Sequence, residues 1–130
     1  MQIRPYTTTD EDALFDLMKR EGEEWADYWD DESGRHHYIK ALADATATYV
    51  LIEDDELCGF VRCIGSFTIY VDDLLVDKAY RGRNFGRLLM ERVLIDFPDH
   101  EVYVMSDVDE YYSKLGYDKA GTLFKVTKTS

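Results

Sequence analysis

The stretch that most constrains the fold is Tyr80-Arg81-Gly82-Arg83-Asn84-Phe85-Gly86-Arg87. Before it, residues 70–76 read as a strand; after it, residues 88–97 read as a helix, with Leu89, Val93 and Phe97 on one face and Pro98 as its stop. A basic, glycine-bearing turn between a strand and a helix presents backbone N–H groups at a helix N-terminus. Such a turn is a ready anion site, and a pyrophosphate is its usual occupant.

The flanking sequence supplies the rest of a small α+β domain spanning residues 1–130. Residues 2–6 read as a first strand. Thr8-Thr9-Asp10-Glu11 begins a helix that ends near Gly22, with Leu14, Leu17 and Met18 on its apolar face. A second helix is predicted over 34–44, then a strand over 46–53, a hairpin turn at Asp54-Asp55, and strands over 56–67 and 68–76. Residues 101–105 read as a short buried strand, 109–115 as a short helix ending at Gly116, and 120–128 as a last strand. The resulting order, βααβββαβαβ, is that of a sheet with helices on both faces.

The net charge is −12, which disfavours electrostatic binding of nucleic acid and favours a cationic partner such as an amine. The charge is uneven: acids gather in 10–32, 53–56, 72–77 and 107–110, whereas Arg81, Arg83, Arg87 and Arg92 form a basic island. No apolar run is long enough for a membrane span, and the first residues lack a secretory pattern, so a cytoplasmic protein is expected. Cys58 and Cys63, five residues apart in one strand, are expected on opposite faces as buried thiols, and no His or Cys cluster suggests a metal.

Two segments in this order resemble the GNAT acetyltransferase superfamily. The first is residues 72–89, an apolar strand ending at Val76 followed by the Arg81–Arg87 turn and an apolar helix. The second is Tyr111-Tyr112-Ser113-Lys114-Leu115-Gly116-Tyr117, similar to the family's aromatic-Tyr-x-x-x-Gly-aromatic segment. The resemblance implies a central, mostly antiparallel mixed sheet whose fourth and fifth strands splay apart around acetyl-CoA. It places the pyrophosphate at Arg81, Gly82, Arg83, Asn84, Phe85, Gly86 and Arg87, and the pantetheine arm along Leu74, Leu75 and Val76. A backbone N–H near Leu75 would polarise the thioester carbonyl.

This chain departs from the family pattern at Asn84, where a glycine is usual; Asn is the other residue that best accepts positive φ. A second departure is the short connection after the 101–105 strand, which offers Ser106 and Asp107 where the family often has Asn.

By alternation Asp72 shares a face with Leu74 and Val76, and it falls where acids serve amine-acetylating relatives. It is the candidate general base, with Asp73, assigned to the opposite face, or a water chain as alternatives. A base is needed because freeing a lysine-like amine of its proton at pH 7 costs about 4.6 kcal/mol. Tyr112 is the candidate general acid for the leaving thiolate, with Tyr111 as its core partner.

Trp25, Tyr28, Trp29 and Asp73 would face the acceptor, the rings standing among Glu23, Glu24, Asp27, Asp30 and Asp31 as an acidic, aromatic lip for a cation. His36 and His37 read as surface residues. The expected partner is a small-molecule or peptide amine, with neither nucleic acid nor membrane. The resemblance also admits a homodimer, although the sequence offers no decisive apolar stripe for one. Two other functions stay open on the same fold: a non-catalytic acyl-CoA-binding module and a protein-interaction domain.

Overall fold

A computed structural model describes residues 1–106 and 108–128. The elements run β1 (Gln2–Pro5), α1 (Glu11–Glu21), α2 (Ala26–Trp29), α3 (Glu32–Asp44), β2 (Ala47–Glu53), β3 (Glu56–Gly65), β4 (Ile69–Val76), α4 (Phe85–Asp96), β5 (Val102–Val104) and α5 (Asp109–Lys114). The strands lie in sequence order, β1-β2-β3-β4-β5. The first four pair antiparallel and β5 pairs parallel to β4, which makes the expected mixed, mostly antiparallel sheet.

Hairpin chemistry fixes the register between β2 and β3. Asp54 and Asp55 take φ of 55° and 61°, the left-handed pair that suits a two-residue turn between twisted strands. One face of the sheet carries Val50, Leu57, Phe60 and Leu75 under α1 and α3, whose Leu14, Phe15, Leu17, Met18, Tyr38 and Leu42 fill that layer. The other face carries Leu51, Val61, Ile69 and Val71 under Phe85, Leu89 and Val93 of α4. Gly59 lets α4 come close: a Cβ there would stand 3.3 Å from Leu89 Cδ1 and from the Leu75 carbonyl oxygen.

Two bulges overturn the simple alternation expected from the sequence. In β3 the register against β2 slips between Leu51 and Ile52, so Cys58 has no opposite number. Cys58 and Cys63 therefore face the same core layer, under α4, and not opposite faces; both are free thiols. Burial pushes them up to about 11 and about 12. In β4 the register against β3 slips between Arg62 and Cys63, which pair with Asp73 and Val71. Asp72 is the extra residue.

The last strand expected from the sequence, 120–128, does not form. Residues 118–128 are all exposed and carry no regular structure. Strand propensity is realised only against a neighbouring strand, and this segment lies against none. Among the described residues no helix is long and apolar enough to cross a membrane.

Candidate active site

The site begins where β4 and β5 part. Their pairing covers Ile69, Tyr70 and Val71 against Val102, Tyr103 and Val104, and a last bond runs from Met105 N–H to the Val71 carbonyl at 3.3 Å. Beyond Val71, β4 continues for five residues to Val76 while β5 has ended. The β5-facing edge at Leu74, Leu75 and Val76 thus borders a wedge, the splay expected of the fourth and fifth strands.

The Arg81–Arg87 turn closes one end of this wedge. Gly82 and Asn84 take φ of 86° and 62°, so Asn84 adopts the left-handed conformation that a glycine would otherwise supply. As the N-cap of α4, Asn84 makes no side-chain capping bond, and the helix starts at Phe85, three residues earlier than its apolar pattern suggested. The N–H groups of this first turn have no partner within the helix and carry the positive end of its dipole.

The arginines of the turn divide by role. Arg81 donates through Nη2 to both carboxylate oxygens of Glu21 at 2.6 Å and through Nε to the Val76 carbonyl at 3.2 Å. Its side chain ties the turn to the end of α1. Arg83 stacks over Tyr80, 5.2 Å from the ring centre. Arg87 lies near Tyr111 and Tyr117, where its charge favours their ionised forms against the burial that raises both hydroxyls.

Tyr111 takes a place the sequence did not assign it. It is 40% exposed and does not sit in the core. A Cβ on Gly86 would stand 2.3 Å from the Tyr111 hydroxyl and 3.9 Å from Leu74 Cδ2. The start of α4, the edge of β4 and α5 therefore meet at one point. Tyr112 lies beside it, edge-on to Tyr111 with ring centres 5.0 Å apart and stacked on Tyr117 at 6.4 Å. Ser106 donates to Asp109 at 2.8 Å at the start of α5; Asp107, named with it from the sequence, lies outside the described residues.

The β4 bulge reshapes the face that the sequence assigned to the acceptor. Asp72 and Asp73 both reach Arg62 of β3, so they lie on the α1–α3 face together. The sequence-based placement of Asp72 with Leu74 and Val76, and of Asp73 alone on the other side, is thereby corrected. Leu74 and Val76 pack toward α4. Arg62 Nε donates to Asp73 Oδ2 at 2.7 Å, and its Nη2 donates to Asp72. The Tyr38 hydroxyl donates to the same Asp73 oxygen at 2.7 Å. Burial, then the Asp73 charge, raises the Tyr38 hydroxyl far above its ordinary value and keeps it a neutral donor. Burial works against the Arg62 charge, but Asp73 outweighs it and holds the guanidinium protonated.

The expected aromatic lip is largely packed. Trp25 contacts Phe60 and Tyr28 edge-on at 5.9 and 5.7 Å, and Tyr28 lies 4.7 Å from Tyr38. Burial, then the charges of Asp73 and Asp72, raises the Tyr28 hydroxyl; its ring neighbours Tyr38, which bonds Asp73. Trp29 packs against the same cluster. Glu23, Glu24, Asp27, Asp30 and Asp31 are exposed around these rings, as are His36 and His37.

Sequence reasoning missed Arg62 and Tyr38. Arg62 did leave a signal: it is the one charge inside the apolar run 57–64, and a buried strand rarely carries a lone charge without a partner.

Comparison with known proteins agrees with this architecture. A sequence model described as the acetyltransferase (GNAT) family matches residues 11–117. Among solved structures, a GNAT family acetyltransferase from Streptococcus pneumoniae superposes with a TM-score of 0.74 at 18% identity, covering 98% of each chain. An aminoglycoside antibiotic 6′-N-acetyltransferase from Acinetobacter haemolyticus gives 0.76 at 13% identity, covering 100% of this chain and 99% of its own. A putative acetyltransferase from Deinococcus radiodurans gives 0.69 at 21% identity, covering 96% and 87%. With the family match spanning most of the chain and the splayed strands ending at a left-handed turn, this protein belongs to the GNAT acetyltransferase family.

Proposed function

We propose that the protein is an N-acetyltransferase that moves the acetyl group of acetyl-CoA to a primary amine, with a small cationic amine favoured. The observation that carries this reading is the meeting of two features at one bulge. The β4 wedge opens toward the start of α4 on one side, and the acidic pair Asp72 and Asp73 stands on the other, with Tyr38 between Asp73 and the Tyr28 ring.

The wedge fits the donor. A pyrophosphate would sit at the first N–H groups of α4, at Phe85, Gly86 and Arg87, with Arg83 and Arg87 adding charge. Arg81 would hold the turn in shape through Glu21. The pantetheine arm would run along Leu74, Leu75 and Val76, with a backbone N–H near Leu75 directed at the thioester oxygen.

In the reaction the neutral amine nitrogen attacks the thioester carbonyl carbon. The C–N bond forms, the C–S bond breaks, and the nitrogen releases one proton. Asp72 would beforehand take the ammonium proton, directly or through water, to give that neutral amine; water would take the proton released on attack, and the Tyr112 hydroxyl would protonate the departing thiolate. Arg62 offsets one of the two carboxylates, which leaves the pair with a net charge of −1 to attract an ammonium group.

The alternative is an acyl-CoA-binding module without turnover. In its favour, the Asp72 carboxylate is already occupied by a bond from Arg62. A thermal-shift titration with acetyl-CoA, with ATP as a control, followed by a thiol-release assay over small amines, peptide N-termini and lysine peptides, separates the two. Saturable stabilisation with turnover supports the enzyme. Binding without turnover on any amine favours the module, and no stabilisation at millimolar acetyl-CoA overturns both.

A further inference from the structure

A cavity that the proposed reaction does not use lies where β1 ends against β2. Its volume is about 340 Å³, at the lower end of the range for small-molecule sites. Pro5, Leu42, Ala45 and Ala47 give it apolar walls, and Tyr6 and Tyr49 add rings. Asp96, the last residue of α4, also lines it. The 12 residues of α4 span about 17 Å, which separates the cavity from the donor turn at the other end of that helix. Thr48 of the cavity pairs with Arg62, and Arg62 pairs with Asp73. Two strand spacings, about 10 Å, thus lie between the cavity and the acidic pair.

The chemistry of this cavity suits a cation. Its lining holds one acid and no base. Asp96 accepts from the Tyr49 hydroxyl at 2.6 Å and from Arg92 Nε at 3.0 Å, both at Oδ2, so Oδ1 has no partner among the described residues. Arg92 offsets part of this charge, but it is committed to Asp96 and, through Nη1, to the Ile3 carbonyl at 2.7 Å. Two helices also end here. α3 closes at Asp44, with Leu42 and Ala45 in the cavity wall, and α4 closes at Asp96; neither has a basic residue in its last turn. Lys40, one turn back, is held by Asp44 at 3.1 Å. A helix C-terminus carries partial negative charge, which a cation complements.

Thr48 is a second, independent sign of a ligand. It lines the cavity, it is 9% exposed, and its buried hydroxyl bonds nothing in the protein. Buried hydroxyls without a partner are uncommon, and a molecule seated against Thr48 would supply one. We propose that this cavity binds a small organic ammonium ion with a short apolar body, its nitrogen held by Asp96 and Thr48 and its hydrocarbon against Leu42 and Ala45. This site is distinct from the acceptor position, and it stands whether or not the chain acetylates amines.

Amide NMR spectra of the isotope-labelled full chain, titrated with pentylammonium chloride without acetyl-CoA, test this. Saturable shifts are expected at Tyr6, Ala45 and Thr48. Pentanol and pentanoate, which keep the body and lose or reverse the charge, should bind at least about tenfold more weakly. Asp96→Asn should weaken pentylammonium about tenfold. Ala45→Lys sets a base of the protein's own at the end of α3. It should abolish the shift at Thr48 while keeping the thermal midpoint at or above that of the wild type. Asp72→Asn should leave the Tyr6, Ala45 and Thr48 shifts unchanged. Shifts confined to the surroundings of Tyr28 and Asp72 would place the amine at the acceptor position alone and overturn the proposal. Pentanol binding as tightly as pentylammonium, or no saturation at tens of millimolar, overturns it as well.

Discussion

The hydroxyl of Tyr111 lies so close over Gly86 that a Cβ on that glycine would be 2.3 Å from the oxygen and 3.5 Å from Cζ. The contact joins α5 to the first turn of α4, where the donor's phosphates are proposed to bind. Gly86→Ala should push the tyrosine aside and cost about tenfold in acetyl-CoA affinity, while helix propensity keeps the fold near wild-type stability. Tyr111→Phe removes only the oxygen, so Cζ then stands at ordinary contact distance from the new Cβ. The double variant should therefore bind better than Gly86→Ala alone, with a coupling of at least about 0.5 kcal/mol by isothermal calorimetry. Additive effects would mean the contact is incidental.

Arg62 and Asp73 are nearly solvent-free, with side chains 10 and 8% exposed. Asp73→Ala leaves a buried guanidinium with its main partner gone and should cost about 3–5 kcal/mol in urea unfolding. Tyr38→Phe removes one neutral donor to the same carboxylate and should cost about 1–2 kcal/mol. A loss below 1 kcal/mol for Asp73→Ala would show that the network is not a structural keystone of the α1–α3 face.

The five strands that form and the Arg81–Arg87 turn were legible because they rest on local signals. The Asp54-Asp55 turn sets one hairpin, and Gly82 and Asn84 supply the positive φ values of the turn. The bulges were not legible. A period-two count carries faces along a strand only while the ladder is unbroken, and one extra residue at Cys58 and one at Asp72 reverses every assignment across them. The error at Asp72 hid the acidic pair as a pair. Its partner Arg62 is eleven residues from Asp73, and Tyr38 is thirty-five, so neither contact has a local signature. The 120–128 segment failed for a different reason: its pattern is that of a strand, but a strand forms only against a neighbouring strand, and among the described residues this segment has none.

Asp10 gives the stability a pH dependence of known sign. Arg4 forms two bonds to its carboxylate at 2.8 Å, and the Thr7 N–H adds one at 2.9 Å. The Arg4 bonds, against the opposing effect of burial, hold the Asp10 carboxyl below its ordinary value. A group depressed in the folded state stabilises the fold above its unfolded pKa, about 3.9, and loses that contribution as pH falls through the folded value. Asp10→Asn should thus be less stable than wild type by about 1–3 kcal/mol at pH 7, with the gap closing on acidification below pH 4. A gap that stays constant from pH 7 to pH 3 would assign the loss to packing instead.

The chemical roles of Tyr112 and Asp72 can be separated by varying the two reactants independently. If Tyr112 protonates the thiolate, Tyr112→Phe should lower kcat about tenfold to a hundredfold with acetyl-CoA, because a thiol with pKa near 8.5 leaves tolerably but not freely. A donor analogue whose thiol is several units more acidic needs no such proton, so the deficit should nearly vanish with it. A tyrosine that only orders the ring cluster with Tyr111 and Tyr117 would depress both donors alike. Asp72→Asn should lower kcat/KM by about tenfold to a hundredfold for an amine of pKa near 10.4 at pH 7, and the loss should narrow as the assay pH approaches that value, where the amine arrives already neutral. An Asp72→Asn deficit that is the same at pH 7 and pH 10 would move the carboxylate from proton transfer to the electrostatic holding of Arg62.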